Sequence, residues 1–224
     1  MIRAVVFDFD GVLANSEPLH FQAFREVAAA HGVVLTERAY YDRYLGFDDV
    51  GAFTAMLADA GVGSPPAAIA GLVAEKAVKL EALEREASVL FPGARQAIER
   101  MAARGLIAIA SGALRAEIVR VLDREGLRTR FPVLVAAEDT PASKPDPAPY
   151  ALAVDRLARG LGEGLSPAEC VAVEDSRWGL ESARRAGLRT VGITHSYGAH
   201  ELTGAERVIA HLDELTEPLL AELR

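Results

Sequence analysis

The feature that most constrains this chain is its first strand-like run, which ends in two aspartates and a glycine. Five of the six residues from Ile2 to Phe7 are non-polar, a pattern typical of a strand that is covered on both faces in a parallel sheet. Asp8 and Asp10 follow at the carboxyl end of that strand, where open α/β sheets bind ligands. Two carboxylates that point the same way repel each other in a partly dry site, so the pair predicts a bound cation, a proton or a reacting partner. The alternative is a solvated aspartate pair before a turn at Gly11.

The composition is that of a globular protein with no sign of a nucleic-acid or membrane partner. Of the 224 residues, 50% are hydrophobic and 25% are charged, which is ordinary for one large or two modest domains. The net charge of -8 disfavours nucleic acid and anionic membranes, and no apolar run reaches the ~18 residues of a membrane span. The single cysteine, Cys170, excludes an intrachain disulfide. The chain starts in a strand-like run rather than a signal-peptide pattern, so we expect a cytoplasmic protein, and a monomer.

A helical segment follows the first strand. Apolar residues recur at helical spacing in four stretches, and no strand-like pattern occurs between Val12 and Ser88. The predicted helices span residues 17–31, 37–45, 48–60 and 66–86. Because one strand cannot form a sheet by itself, we predict a separate helical domain over residues 16–87, and a core domain made of residues 1–15 and 88–224.

Helices and strands alternate in the remainder of the chain. Helical patterns at 93–104, 114–125, 149–159 and 176–186 each precede a strand pattern, at 106–110, 133–136, 170–173 and 189–193. Such alternation predicts crossover connections and a parallel sheet with helices on both faces. The predicted fold class is therefore α/β, with a doubly wound parallel-sheet core and a helical domain inserted after the first strand.

Polar side chains follow three of the later strands, at the point where each strand ends. Ser111-Gly112 comes after the strand at 106–110, Lys144 lies in the proline-rich loop after the strand at 133–136, and Glu174-Asp175 follows the strand at 170–173. Taken singly, these are an ordinary helix cap, a solvated lysine and acids at a helix start. Because the carboxyl ends of parallel strands share one edge of a sheet, we expect these groups to converge on the Asp8–Asp10 pair.

These residues carry a resemblance to a known family. The segments Asp8-Phe-Asp-Gly-Val12, Ser111-Gly112, Lys144-Pro145 and Glu174-Asp175-Ser176 resemble, in order, the four motifs of the haloacid dehalogenase-like superfamily. The helical insert resembles the cap of the branch that holds phosphoglycolate phosphatase and β-phosphoglucomutase. The resemblance implies a Rossmann-like core and hydrolysis of a phosphomonoester, with a small phosphorylated metabolite, such as a sugar phosphate, as the substrate.

The resemblance also implies roles for the core residues. Asp8 is the expected nucleophile, which forms an aspartyl-phosphate, and Asp10 is the expected acid and base, which protonates the leaving alcohol and then activates water. Asp10 needs a raised pKa for that role. Ser111, the Gly112 N–H and Lys144 are the expected phosphate-binding groups.

A magnesium ion is the implied cofactor, because it is a hard cation that prefers oxygen ligands. Its expected ligands are a carboxylate oxygen of Asp8, the backbone carbonyl of Asp10 and the Asp175 carboxylate. Glu174 either joins these ligands or orients a metal-bound water.

By the same resemblance, the cap supplies substrate specificity. Glu17 and His20 are expected near the active site, where His20 supports Asp10 or is simply an exposed helix residue. Gly46 matches the glycine of the substrate-specificity loop. Lys76 matches a lysine that reaches the substrate in sugar-phosphate enzymes, although a solvated helix face also explains it.

Departures from the family pattern help to choose among activities. β-Phosphoglucomutase has an arginine and a Ser-Lys pair at positions that are Asp49, Ala113 and Leu114 here. Loss of groups that would hold a second phosphate favours a phosphatase over a phosphomutase. A haloacid dehalogenase has no use for Asp10 or Asp175, and a non-catalytic binding protein would not need the whole set. Sugar phosphates, a pentulose bisphosphate and 2-phosphoglycolate all remain open as substrates.

Four further positions have no assigned role. Asn15 stands where many relatives have aspartate, and Trp178 stands where a small residue is usual. His195 and His200 are expected to be surface residues.

Overall fold

The computed structural model describes residues 1–223 apart from 46, 48, 64, 87, 162 and 163. The chain forms two compact units. The core unit consists of Met1–Asn15 and Leu90–Arg224, and the cap unit consists of Ser16–Val89.

The cap unit is helical. Its elements are α1 (Glu17–Ala30), α2 (Glu37–Ala39), a π-helical turn (Tyr40–Tyr44), α3 (Asp49–Asp59) and α4 (Pro66–Glu86). The Thr36 hydroxyl caps α2 by accepting a 3.2 Å hydrogen bond from the Ala39 N–H. The helix predicted over 37–45 widens at Tyr40, whose carbonyl accepts from the Leu45 N–H at 3.1 Å. Apolar spacing cannot reveal that widening, because buried Tyr40 and Tyr44 are four residues apart, as in an α-helix.

The interior of the cap unit is built around aromatic rings. The Phe24 ring centroid lies 4.9 Å from that of Phe53 and 5.7 Å from that of Tyr40, while Phe21 lies 5.4 Å from Tyr40. These residues are at most 9% exposed. The rings thus close α1, the π-helical turn and α3 around one apolar centre.

The core unit contains one six-stranded sheet, and every strand pair is parallel. Its strands are β1 (Ala4–Phe7), β2 (Leu106–Ala110), β3 (Val133–Val135), β4 (Cys170–Glu174), β5 (Arg189–Ile193) and β6 (Arg207–Ile209), in the spatial order β3-β2-β1-β4-β5-β6. Connections run outward in both directions from the boundary between β1 and β4, and a crevice forms at such a switch point in doubly wound sheets. The predicted fold class is confirmed.

Helices precede β2, β3, β4 and β5, and a short helix follows β6. In chain order they are α5 (Ala94–Arg104), α6 (Arg115–Arg124), α7 (Ala148–Leu161), α8 (Arg177–Arg185) and α9 (Glu217–Glu222). Small residues on the strands, such as Ala4, Ala108 and Ala172, are fully buried and allow helices to pack closely, with Tyr150 of α7 buried against them. None of the helices formed by the described residues is long and apolar enough to cross a membrane.

The edge strand β6 and the short helix α9 were not predicted. β6 has three residues, and Arg207 and Val208 are exposed. A strand of that length at the edge of a sheet has no continuous apolar run, so its sequence does not differ from that of a loop.

Candidate active site

The strand register brings three polar segments to one edge of the sheet. Phe7 of β1 lies opposite Ile109 of β2 and Val173 of β4. Asp8 is therefore level with Glu174, and its N–H donates to the Val173 carbonyl at 3.0 Å. The carboxyl ends of β1 and β4 lie at the switch point of the sheet. The acids of these two strands therefore meet at the place where ligands bind in folds of this class.

Three carboxylates converge there. Oxygen atoms of Asp8, Glu174 and Asp175 all lie within 4.8 Å of one another. The three residues are only 9%, 0% and 7% exposed. Buried like charges at that separation need a proton or a cation to compensate them, and carboxylate oxygens are ligands that Mg²⁺ prefers.

Lys144 supplies one positive charge to the cluster. Its Nζ lies 2.9 Å from Asp8 Oδ1 and 2.5 Å from Glu174 Oε1. The Tyr150 hydroxyl donates to the same Glu174 oxygen at 2.8 Å, and its ring lies beneath the ammonium, with Nζ 5.0 Å from the ring centroid. The proline-rich loop after β3 therefore delivers a lysine whose position is fixed from two sides.

The pKa values of the site reflect this crowding. Burial, opposed by Lys144 and reinforced by Glu174 and Asp175, raises the pKa of Asp8 to about 7. Burial and the nearby Glu174 charge raise the pKa of Asp175 to about 6. Burial lowers the pKa of Lys144, but the attraction of Asp8 and Glu174 outweighs it and raises that pKa above its ordinary value. One lysine thus does not fully compensate three acids.

Two glycines permit the close approach of these acids. A Cβ on Gly11 would lie 2.0 Å from Asp175 Oδ2, and Gly11 also has a φ of 77°. A Cβ on Gly179 would lie 1.9 Å from the Glu174 carboxylate. A larger residue at either position would displace an acid of the cluster.

Ser111 and Gly112 follow β2, the neighbour of β1. Ser111 is 3% exposed, and its Oγ accepts from the Ala113 N–H at 3.1 Å, which leaves the hydroxyl hydrogen free to donate elsewhere. Gly112 is exposed. Asp10 is exposed too, in a tight loop where the Gly11 N–H donates to the Ala14 carbonyl at 2.9 Å.

Two contributors to the core site were not recognised from the sequence. Tyr150 occupies an apolar position of α7, where its hydroxyl needs a buried hydrogen-bond partner. That need was the signal in the sequence that could have pointed to Tyr150. His195 was expected at the surface, yet it is half-buried and its Nδ1 lies 3.0 Å from the Gly11 carbonyl. His200 is exposed, as expected.

The remaining unassigned positions lie at the surface. Trp178 is 42% exposed, with the Arg177 guanidinium 4.4 Å from its ring centroid and the Tyr197 ring edge-on at 6.2 Å. Asn15 is exposed. The contacts of the described residues connect neither position with the carboxylate cluster.

The cap candidates form a polar group within the cap unit. Lys76 is 2% exposed, and its Nζ donates to Asp49 at 2.7 Å and to His20 Nδ1 at 3.0 Å. The Tyr40 hydroxyl donates to Glu17, whose pKa is raised by burial. Lys76 is thus neither a solvated helix residue nor an unpaired cation. Gly46 lies outside the described residues.

The chain is similar to known hydrolases over most of its length. The family model of the haloacid dehalogenase-like hydrolases matches residues 2–187. A phosphorylated carbohydrates phosphatase from Thermotoga maritima is 32% identical over 87% of this chain and 87% of its own length. Hexitol phosphatase B from Escherichia coli is 31% identical over 85% of this chain and 82% of its own length.

A solved structure extends the match to the fold. It is the CbbY protein of Rhodobacter sphaeroides, as an aspartate-to-asparagine variant in complex with xylulose 1,5-bisphosphate. It superposes with a TM-score of 0.75 at 30% identity and covers 96% of both chains. Because the family model matches well over half of the chain, the protein belongs to the haloacid dehalogenase-like hydrolase family.

Proposed function

We propose that this phosphatase uses Mg²⁺ to hydrolyse monophosphate esters of small sugars or polyols, with Asp8 as the nucleophile. One observation carries the proposal: a buried Asp8 at the switch point of the sheet, 2.9 Å from Lys144 and within 4.8 Å of two more acids. The phosphatase relatives named above favour a phosphorylated sugar or sugar alcohol as the substrate.

The donor set fits magnesium. Asp8, the backbone carbonyl of Asp10 and Asp175 would hold the ion, since they offer hard oxygen ligands, and the raised pKa values of Asp8 and Asp175 indicate a deficit of positive charge. When bound, the ion supplies positive charge that keeps the acids ionised and polarises the phosphoryl oxygens.

Glu174 fits the role of an orienting residue better than that of a metal ligand. Its Oε1 accepts from Lys144 and Tyr150, at 2.5 and 2.8 Å. Its Oε2 accepts from the Ser176 hydroxyl at 3.2 Å. Both oxygens are thus already occupied, and the contacts favour a Glu174 that fixes the position of Lys144.

The proposed reaction has two steps. Asp8 attacks phosphorus in line with the ester oxygen, forming an aspartyl-phosphate, while Asp10 gives its proton to the departing alcohol. Asp10 then takes a proton from water, whose oxygen attacks phosphorus and releases phosphate from Asp8. Lys144 offsets the charge of Asp8 as the phosphoryl dianion approaches, and the Ser111 hydroxyl and Gly112 N–H donate to phosphoryl oxygens.

Side chains of the cap unit and of the core unit favour a substrate with one phosphate. The ammonium of Lys76 is already paired with Asp49 at 2.7 Å, so it is not an unpaired cation for a second phosphate. Ala113 and Leu114 cannot donate side-chain hydrogen bonds. We retain Glu17, His20, Gly46 and Lys76 as proposed specificity residues, and phosphomutase activity as the alternative.

The test is a hydrolysis screen with p-nitrophenyl phosphate and a panel of hexose and hexitol monophosphates, a pentulose bisphosphate and 2-phosphoglycolate. We expect turnover of monophosphates that EDTA abolishes and Mg²⁺ restores. Conversion of β-glucose 1-phosphate to the 6-phosphate in the presence of a bisphosphate activator would instead establish the mutase alternative.

Variants test the roles of the two aspartates. Asp8→Asn should abolish turnover, whereas the matched change Asp155→Asn on α7 should leave it unchanged. Asp10→Ala should slow release and trap a phosphorylated enzyme that intact-mass spectrometry detects. An active Asp8→Asn variant would remove Asp8 as the nucleophile, and a fully active Asp10→Ala variant would remove the acid and base role.

A further inference from the structure

The segment that follows β5 contacts the loop after β1, which carries Asp10 and Gly11, through a histidine. The His195 ring stacks on Phe91, with centroids 3.8 Å apart and an interplanar angle of 18°. Its Nδ1 lies 3.0 Å from the Gly11 carbonyl oxygen. Phe91 is itself tied to the same loop, because its N–H donates to the Leu13 carbonyl at 3.0 Å.

The hydrogen bond determines the protonation of the ring. A carbonyl oxygen can only accept, so His195 Nδ1 must carry the hydrogen. Burial lowers the pKa of His195 below its ordinary value. At neutral pH the ring is therefore the neutral Nδ1–H tautomer, and its donor is directed at Gly11.

Gly11 is held on three sides. Its N–H donates to the Ala14 carbonyl at 2.9 Å, its carbonyl accepts from His195, and its Cα lies against Asp175 and Ser196, which leave no room for a Cβ. The Ser196 hydroxyl in turn donates to the Asp175 carboxylate. Residues 195 and 196 thus contact both the loop that carries Asp10 and an acid of the carboxylate cluster.

We propose that His195 is a positioning residue, which fixes the Asp10–Gly11 backbone through the Gly11 carbonyl and so holds Asp10 in place for proton transfer. The inference rests on the proposed function, because it assigns the acid and base role to Asp10. Asp10 directly precedes Gly11 in the chain, so the position of its Cα follows from that of the Gly11 backbone, and proton transfer depends on that position.

The contact combines ring stacking with a hydrogen bond, and substitutions can separate the two. His195→Phe keeps the ring stacked on Phe91 and removes only the donor. His195→Asn keeps an N–H near the position of Nδ1 and removes the stacking. The matched control is His200→Phe, the same replacement at an exposed histidine of the same segment.

The experiment measures kcat, KM and thermal stability with p-nitrophenyl phosphate and Mg²⁺. For His195→Phe we expect kcat to fall about 10-fold, while KM changes less than about 2-fold and the protein remains folded. His195→Asn should recover most of the lost kcat, and His200→Phe should match the wild type. A purely structural role predicts the reverse order, since Phe preserves packing and Asn does not.

Two outcomes would overturn the inference. One is a His195→Phe variant with wild-type kcat, and the other is a His195→Asn variant that is slowed at least as much as His195→Phe. If His195→Phe does not fold, the kcat of His195→Asn decides alone. A kcat within about 3-fold of wild type supports the inference, and a loss of kcat of about 10-fold or more contradicts it.

A second measurement does not depend on catalysis. Long-range proton–nitrogen NMR spectra of the imidazoles, with the His195 signals assigned from their loss in His195→Asn, should report a hydrogen on Nδ1 at neutral pH. A neutral Nε2–H tautomer would overturn the inference even in an active enzyme. A wild-type protein that hydrolyses no phosphate ester would overturn the proposed function and with it the positioning role, while the tautomer would still report whether the hydrogen bond exists.

Discussion

Asp8 is drawn toward two protonation states by its neighbours. Burial, Glu174 and Asp175 favour the protonated carboxyl, whereas the Lys144 ammonium at 2.9 Å favours the carboxylate, and the net result is a pKa of about 7. A carboxyl with such a pKa is only partly ionised near neutral pH. Any change that removes positive charge from the site therefore lowers the fraction of Asp8 that is ionised and able to act as the nucleophile.

Lys144→Met is the direct test of that dependence. The variant keeps the length of the side chain but loses the charge that offsets Asp8, so we expect kcat/KM to fall at least about 100-fold near neutral pH. Steady-state kinetics with p-nitrophenyl phosphate measure the loss. Lys79→Met on α4, where the lysine pairs with Glu26 at the surface, is the matched control and should retain wild-type activity. Equal activities in the two variants would contradict the role of Lys144.

Gly179→Ala tests the close packing of α8 on Glu174. The new Cβ would lie 1.9 Å from the Glu174 carboxylate, so either the helix or the acid must move. We expect at least about 1 kcal/mol of destabilisation, measured by denaturant unfolding, and a large loss of activity. Gly71→Ala on α4 is a control at another helical glycine with open space around it. That change should be neutral or stabilising, because alanine is the better helix former.

At the scale of elements, α3 and α4 are joined by a charge pair inside an aromatic cap interior. The Lys76 ammonium is 2.7 Å from Asp49 and 4.7 Å from the centroid of the Phe24 ring. The lysine side chain is 2% exposed and that of Asp49 is 35% exposed. Replacing Lys76 and replacing Asp49 should therefore change the stability of the cap unit by different amounts.

Asp49→Asn should destabilise the cap unit more than Lys76→Met does. The first change leaves a buried ammonium without its counter-ion, while the second replaces the ammonium by an apolar side chain of similar size. We expect a difference of about 1–2 kcal/mol in the free energy of unfolding, measured by urea denaturation of both single variants and the double variant. A more stable Asp49→Asn variant would show that water or another residue compensates the charge of Lys76.

The elements themselves were predictable to the extent that their burial is continuous. β1, β2, β4 and β5 are covered on both faces, so apolar runs mark them, and the structure has β2 and β5 over the predicted residues. β6 was missed because two of its three residues are exposed. The local hydrophobic pattern of a sequence reflects burial, and most residues of this edge strand are exposed.

The composition of the carboxylate cluster depends on the whole molecule. Asp8, Lys144, Glu174 and Asp175 could be proposed together, because strand ends in a parallel sheet meet at one edge and the motifs were recognisable. Tyr150 and His195 were not proposed, because the need of a buried phenol for a partner does not say which partner it has, and no spacing rule relates His195 to Gly11. His195 and Gly11 are 184 residues apart in the chain.

The same cluster should make the stability of the whole metal-free molecule depend on pH in an unusual direction. The pKa values of Asp8 and Asp175 are raised from 3.8 to about 7 and about 6. Between the unfolded and folded values the folded chain binds more protons than the unfolded chain, so the stability that these groups contribute falls as pH rises through that window. The raised pKa of Lys144 adds no slope there, because its contribution is complete below its ordinary value of 10.5.

Asp8→Asn isolates this effect, because the amide has the same shape and does not titrate. In EDTA, we expect its Tm to exceed that of the wild type by a margin that grows between about pH 5 and about pH 7.5, as Asp8 ionises in the wild type at the expense of stability. Mg²⁺ should raise the Tm of the wild type more at the upper pH, where its ligands are already deprotonated, and should raise the Tm of Asp8→Asn less. Asp155→Asn, at a surface position of α7, should follow the wild type at every pH. A margin that shrinks with rising pH would mean that Lys144 alone compensates Asp8, and that the site has no deficit of positive charge for a metal ion to fill.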